Sequence, residues 1–398
     1  MQAPLEQARA SFLQGVAHFE AGLHLQARAC FEASLALAPG RPSVLANLGI
    51  CLFTLGEWQP GVDVLEQATA ADASNADAWI SLGLCHEHLA RWQAAADCLT
   101  RGLALRPGTA MLWLILGQCR MRLGAIKSAL EAFDTSLALS PDFADAWSAR
   151  GSLMREIGHF QEATLSFEKA LAHGADPVLN SYYLAAVRGE TNPPAPPRLY
   201  VESLFDDYAA DFQTHLVQQL GYQAHETLLR PLLNEGRRFY AVLDIGCGTG
   251  LCGTLIQPVS QALDGVDVSS AMLAQARATG VYRDLAHADL TTYLCNSTQR
   301  YDLVLAADVF IYVGALEVVF REVRRLLMPG GCFAFSLEPS ETQDVQLLPS
   351  LRYAHSQDYI RRLAQVHGFD IKQMALAPIR HDQQEPVMGL YAYLSHPG

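Results

Sequence analysis

Small and large apolar positions recur along the first half of the chain with a fixed period of 34 residues. Glycine stands at Gly15, Gly49, Gly83, Gly117 and Gly151. A second series runs Gly22, Gly56, Ala90, Gly124, Gly158, and a third runs Ala27, Gly61, Ala95, Ala129, Ala163. Large residues recur at Phe31, Leu65, Leu99, Phe133 and Phe167. Trp79, Trp113 and Trp147 share one phase with Leu45, and Pro39, Pro107 and Pro141 close three of the units. Such a pattern predicts five pairs of helices over 8–177. The small residues let paired helices approach, the large ones fill between them, and the second series turns the chain from first helix to second. Val178 to Arg188 reads as a capping helix with a more polar outer face.

Further along, the period changes. Val242 to Ile245 is a short apolar run suited to a buried parallel strand. Similar runs end at Asp267, near 287 and at Asp308, with helical stretches at Leu290 to Asn296 and 357–367 between or after them. Thr191 to Pro197 holds four prolines in five residues, which favours extended polyproline II and stops the preceding helix. The expected organisation is a helical repeat domain over 1–190, a semi-rigid proline-rich linker over 191–199, and an α/β domain over 200–398.

The most telling segment is 242–250, Val-Leu-Asp-Ile-Gly-Cys-Gly-Thr-Gly. A chain that leaves a buried strand and turns at once into a helix needs residues without Cβ. Asp244 is costly in a buried strand unless something pairs with it, and a cationic ligand on the glycine loop would do so. Gly248, Gly250 and Gly253 spell a literal G-x-G-x-x-G. Counted from the strand end, however, the first glycine is Gly246, and the position of the third is occupied by Leu251. The pattern that fits, strand-Asp-x-G-x-G-x-G, resembles motif I of the class I S-adenosylmethionine (SAM) methyltransferases.

That resemblance covers about 200–398 and implies a Rossmann-like α/β fold with a mostly parallel seven-stranded sheet. It assigns the cofactor site to Asp244, Gly246, Cys247, Gly248, Gly250, Asp267, Val268, Met272, Asp289, Leu290 and Ala306. Asp267 would hold the ribose hydroxyls and Asp289 the exocyclic amine of adenine. Asp308 would end the fourth strand facing the methyl-transfer site. Arg325 to Gly331 resembles the helix-to-strand turn before strand five. Plainer roles stay open: Asp244 or Asp289 as a helix cap, Asp267 as a strand-end residue, Asp308 as structural. Leu204, Phe205, Tyr208, Phe212 and Leu216 form a helical stripe that resembles the lid of the SAM pocket, with Tyr208 as a cofactor contact; such a stripe can also be plain core.

The 34-residue array resembles the tetratricopeptide repeat, so the first domain is read as an all-α solenoid. The whole chain resembles a bacterial family of predicted methyltransferases with N-terminal tetratricopeptide repeats. By resemblance, a concave groove would be lined by Phe12, Phe19, Phe53, Ile80, Leu84, Met111, Leu114 and Met121, with some of these packing between repeats instead. It lacks the Lys and Asn cluster that holds an acidic peptide C-terminus in chaperone-binding members. The expected partner is a protein bound through the repeats.

Composition narrows the rest. The 398 residues carry a net charge of −13, with half of them hydrophobic. The first 190 residues are net −6 and the remainder net −7, without a run of Lys or Arg. Nucleic acid is disfavoured as the main partner. No apolar run is long enough to span a bilayer, and the first residues do not read as a signal peptide. Nine cysteines without a C-x-x-C point to a reducing cytoplasm and to neither a metal site nor a disulfide framework.

Methyl transfer from a sulfonium depends mainly on alignment, which can account for roughly 7–11 kcal/mol of barrier. An acceptor hydroxyl or ammonium must also lose a proton. The candidates for that role are Asp308, His355 and Tyr312, with His215; His355 reads more readily as a packing or capping residue before Ser356, itself placed to cap the helix 357–367. Residues 306–309 lack the Asn/Asp-Pro-Pro-Tyr motif of amide and adenine methylation, and no paired-glutamate loop of arginine methylation is found. Three functions remain: a methyltransferase whose repeats recruit a protein, a small-molecule methyltransferase whose repeats serve assembly, and a scaffold without catalysis.

Overall fold

A computed structural model describes residues 2–189, 192–208, 221–382 and 385–398, without the side chains of 2, 3, 207, 208, 381, 382 and 385. The chain forms two compact units, Met1–Ala175 and Asp176–Gly398.

The first unit is five helix pairs: α1 (Gln2–Glu20) with α2 (His24–Leu37), α3 (Pro42–Thr54) with α4 (Trp58–Ala71), α5 (Ala76–His88) with α6 (Trp92–Leu105), α7 (Ala110–Arg122) with α8 (Ile126–Leu139), and α9 (Ala144–Glu156) with α10 (Phe160–Ala172). One contact explains the period. A Cβ on Gly15 would lie 2.7 Å from the Phe31 ring, on Gly49 2.3 Å from Leu65, on Gly83 2.7 Å from Leu99, on Gly117 2.4 Å from Phe133, and on Gly151 2.6 Å from Phe167. Only glycine admits the large partner at that distance. The second series turns the chain with a left-handed residue, and Ala90 takes φ 55° where the other units use glycine. The tryptophan phase also has a cause. The indole N–H of Trp79 donates to the Ala73 carbonyl at 3.0 Å, and that of Trp147 to Pro141 at 2.8 Å.

The expected groove changes. Ile80 and Leu114 are buried in the packing between helices. Phe12, Phe19, Phe53, Leu84 and Met121 are partly buried against these and neighbouring clusters. Met111 alone of the eight is exposed. Two of the eight positions are therefore core between helices, and the other six keep accessible surface.

The second unit begins with α11 (Pro177–Arg188), capped by the Asp176 side chain on the Leu179 amide at 2.7 Å. Sequence reads this helix as the cap of the solenoid, but it belongs to the second unit, where Tyr182 packs against Tyr200 and Tyr353. The proline-rich stretch is likewise not a free linker. Asn192 accepts from Leu347 N–H at 2.7 Å and donates to the Val345 carbonyl at 2.7 Å, and the Pro194 carbonyl accepts from Ala315 N–H at 3.0 Å.

After α12 (Arg198–Tyr208) and α13 (Ala224–Asn234), strands and helices alternate: β1 (Phe239–Ile245), α14 (Leu251–Ile256), β2 (Ser260–Asp267), α15 (Ser270–Ala278), β3 (Asp284–His287), α16 (Leu290–Asn296), β4 (Tyr301–Ala306), α17 (Glu317–Leu326), β5 (Leu327–Pro339). These five strands are parallel in the order β3-β2-β1-β4-β5. β8 (Asp370–Asp382) and β9 (Glu385–Ser395) complete the expected seven, with β9 antiparallel to both β5 and β8. A hairpin of β6 (Val345–Leu347) and β7 (Tyr353–His355), absent from the sequence reading, extends the far end of β5. α18 (Gln357–Val366) follows, capped by Ser356 on the Tyr359 amide. Among the described residues no helix is long and apolar enough to cross a membrane.

Candidate active site

The chain runs outward from β1 through β2 and β3 on one side, and through β4 and β5 on the other. Open α/β sheets bind ligands outside the carboxyl ends of strands where the order reverses. A cavity of about 450 Å³ lies there, within the rough 300–1,000 Å³ range of small-molecule sites.

At one end it is bounded by Gly246, Gly248, Val266, Asp267, Val268, Met272, Asp289 and Leu290. Gly246 has φ 62°, and a Cβ there would strike Val309 at 2.5 Å, so glycine is needed on both counts. Gly248 turns with φ 53° and donates its N–H to Asp267 Oδ2 at 2.8 Å. Asp267 Oδ1 accepts from Ser269 N–H at 2.9 Å. The carboxylate thus closes the glycine loop onto the end of β2; burial pushes its pKa up while these bonds pull it down. Asp289 both lines the cavity and caps α16, accepting from Thr292 N–H at 2.9 Å.

α12 supplies a further wall through Arg198, Val201, Leu204 and Phe205, and Ala195 and Pro196 line the cavity just before it. Asp206 ties this helix to α15, accepting from Ser269 Oγ at 2.5 Å and from Ala271 N–H at 3.3 Å. The Phe205 ring meets Tyr312 edge-on at 5.1 Å. The side chain of Tyr208 lies outside the described residues, as do Phe212, His215 and Leu216.

The other end holds Tyr222, Ala307, Asp308, Tyr312, Arg352 and Arg380. Asp308 takes φ 58°, rare for a residue with a side chain and a mark of functional sites. Its N–H donates to Ser336 Oγ at 2.8 Å, and its buried Oδ1 has no partner among the described residues. Burial raises its pKa to about 6 despite nearby Arg352. Tyr312 is also raised by burial, with Arg352 opposing.

Several expected residues fall elsewhere. Asp244, Cys247, Gly250 and Ala306 do not line the cavity. Asp244 is 1% exposed and finds its partner within the chain, accepting from the Tyr282 hydroxyl at 2.7 Å. Its pKa rises to about 7, chiefly by burial. Gly253 exists for that tyrosine, since a Cβ there would lie 2.3 Å from the hydroxyl. The literal G-x-G-x-x-G is therefore a packing feature at its last position. Cys247 is buried near Gly265. β4 ends one residue early for the cavity, so Ala307 lines it in place of Ala306.

His355 is fully buried away from the lining, pairs through Nε2 with the Gly314 carbonyl at 2.8 Å, and stacks on Tyr359. Burial lowers its pKa to about 4. It braces the loop after Tyr312 and is not available to a molecule in the cavity.

Tyr222, Arg352 and Arg380 escaped the sequence reading. Each is a single polar residue outside any motif. Leu-Pro-Ser-Leu before Arg352 carries only a turn signal. Among the described residues no group of His, Cys, Asp and Glu could hold a metal ion.

A methyltransferase-domain family model matches residues 243–333, and a tetratricopeptide-repeat model matches overlapping windows from 2 to 180. A malonyl-[acyl-carrier protein] O-methyltransferase of Legionella pneumophila is 31% identical over 171 residues, 40% of this chain and 58% of the relative. A probable S-adenosylmethionine-dependent methyltransferase of Saccharomyces cerevisiae is 30% identical over 159 residues, 34% of this chain and 53% of the relative. The chain thus spans just over half the length of these curated relatives. The crystal structure of MamA is 26% identical over 40% of this chain and 93% of its own, with a TM-score of 0.38. The polypeptide joins a tetratricopeptide-repeat array to a Rossmann-like methyltransferase domain.

Proposed function

We propose that the chain is a SAM-dependent methyltransferase whose repeats recruit a protein, either the acceptor or a partner that carries it. The observation that carries this reading is the Asp267 carboxylate closing the Gly248 loop beside a cavity at the point of strand reversal. The residues present fit such a cofactor. Gly248 presents bare backbone to open space, where a Cβ would meet nothing within 4 Å, Asp267 offers acceptor lone pairs beyond its two amide bonds, and Asp289 offers the same at a helix start. Val268, Met272 and Leu290 give apolar surface for a flat base. SAM supplies a methyl group already activated on a sulfonium.

The chain's own task is then orientation and exclusion of water. α12, tied down by Asp206, walls the cavity on one side. Asp308 and Tyr312 line the same cavity, where an acceptor would meet the methyl group.

Calorimetry on the full chain tests the cofactor. One SAM, or its demethylated product S-adenosylhomocysteine (SAH), should bind per chain, and NAD should not; NAD binding without SAM would overturn the reading. Methyl-labelled SAM added to lysate with purified protein then tests the acceptor. Label in protein supports recruitment of a protein acceptor, and label confined to small molecules transfers the repeats to carrier binding or assembly.

A further inference from the structure

We propose that the acceptor end of this cavity recognises a carboxylate, through Arg352 with Arg380 and Tyr312, and that Tyr182 is the positioning residue for Arg352. The proposal rests on the methyltransferase reading of the cavity and names the chemical class of its acceptor.

Arg352 is the least expected residue of the lining. It stands in the turn between β6 and β7, where Leu351 N–H donates to the Leu348 carbonyl at 2.9 Å and Leu348 N–H to the Arg352 carbonyl at 2.8 Å. The turn needs Leu351 at φ 65°, a conformation unfavourable for a residue with a side chain. What holds it there comes from α11: the buried Tyr182 hydroxyl donates to the Leu351 carbonyl at 2.9 Å. On the other flank of Arg352, Tyr353 packs against the Tyr182 ring, with centroids 6.4 Å apart. Two contacts from one tyrosine therefore set the backbone that aims Arg352 into the cavity.

Arg352 is partly buried, and a guanidinium withdrawn from water is retained where its planar fork of donors is used. Here Tyr312, Asp308 and Glu338 all act on it electrostatically, Tyr312 the most strongly. Burial raises the pKa of both carboxyls, so each takes up a proton more readily than an exposed acid would. Arg380 adds a second guanidinium from the adjoining wall. It follows Ile379, whose carbonyl accepts from Gln223 N–H at 2.8 Å, next to Tyr222. Arg352, Arg380 and Tyr312 thus make this part of the lining rich in hydrogen-bond donors. A carboxylate matches the bidentate fork of arginine. It also resolves the unpartnered Asp308 Oδ1, because two carboxyls side by side hold a shared proton. A carboxylate oxygen has no proton to lose, so methylation there needs no base.

The test is calorimetry on the full chain saturated with SAH, using glutarate, tricarballylate, neutral dimethyl glutarate and inorganic phosphate as probes. The di- or tricarboxylate should bind, and dimethyl glutarate should not. Arg352→Met should weaken that binding by about 10- to 100-fold, the scale of lost hydrogen bonds to a charged group, while leaving SAH affinity within threefold. Arg352→Lys should recover part of it. Tyr182→Phe should weaken carboxylate binding with SAH affinity unchanged, which a general loss of folding would not do. Wild-type protein that takes SAH but ignores every carboxylate, or prefers phosphate, overturns the proposal, as does equal carboxylate affinity in Arg352→Met. Failure of the wild type to bind SAH instead overturns the methyltransferase reading beneath it.

Discussion

The repeat array makes one contact five times; the methyltransferase cavity makes each of its contacts once. In the array, a glycine faces a large apolar residue at Gly15, Gly49, Gly83, Gly117 and Gly151, and any one pair teaches the others. In the cavity, Asp267 holds a loop amide, Asp308 stands strained with a bare oxygen, and Arg352 is aimed by a tyrosine from a distant helix. Redundancy makes structure legible in a single sequence, whereas singular contacts show only once the chain is folded. The array should also respond to substitution as a packing problem, and the cavity as a problem of polar satisfaction.

The largest expected effect tests the packing side. Gly117→Leu forces a side chain into the Phe133 ring, 2.4 Å from where Cβ alone would lie. Overpacking of this kind costs about 3 kcal/mol. Chemical denaturation of the full chain should show that loss, with SAH affinity unchanged. A parallel loss of SAH binding would break the comparison, because the two responses would no longer separate.

Next comes Asp267→Ala. Hydrogen bonds to a charged group contribute about 1.5–3 kcal/mol, so SAH should bind roughly 10- to 150-fold more weakly by calorimetry. Because Asp267 also holds Gly248 and Ser269, some stability should be lost as well. An unchanged dissociation constant would leave Asp267 as a loop brace alone.

Asp308→Asn should act in the opposite direction on stability. Burial raises the folded-state pKa of Asp308 to about 6, above its ordinary 3.8. A carboxyl raised on folding is tolerated while protonated, and its contribution is lost as pH rises through the folded value. The variant should match the wild type near pH 3.5, gain on it between about pH 4 and 6, and level off above at up to about 3 kcal/mol. Melting temperatures across that range check this; a constant offset would mean the gain has another source. Asparagine also tolerates the left-handed backbone that Asp308 adopts.

The smallest effect is Ala90→Gly. Ala90 carries φ 55° where the other four units have glycine at φ 69–78°. Relief of the left-handed strain, less the entropy of glycine, should stabilise by about 0.5 kcal/mol. Destabilisation in denaturant would show that the third unit has adapted its turn to alanine.

Much of the fold was legible because its causes are local or periodic. Ser269 and Ser356 each stand directly before the helix they cap, and β1, β2 and β4 follow from short apolar runs ended by small or acidic residues. Of the cavity lining, Gly246, Gly248, Asp267 and Asp289 lie within one motif series and were read as a group. Asp244 was read with them, yet its partner is Tyr282, 38 positions away, and nothing in its own neighbourhood announces that hydroxyl. His355 looked chemical because histidine titrates near neutrality, but burial against Gly314 and Tyr359 removes it from solvent. The β6–β7 hairpin has three-residue strands, too short for alternation to register.

Helix α11 and the prolines after it have a consequence for ancestry. The stretch 176–197 stands before the methyltransferase motifs in sequence, yet it holds Leu351, Leu347 and Ala315 through Tyr182, Asn192 and Pro194. A recombination that exchanged the repeats at the prolines, where the sequence invites a cut, would carry Tyr182 away with them. Only a crossover upstream of Asp176 delivers the α/β unit whole. Genes that shuffle this domain onto other repeat arrays should therefore inherit the helix with it, and the join in such fusions should fall before it.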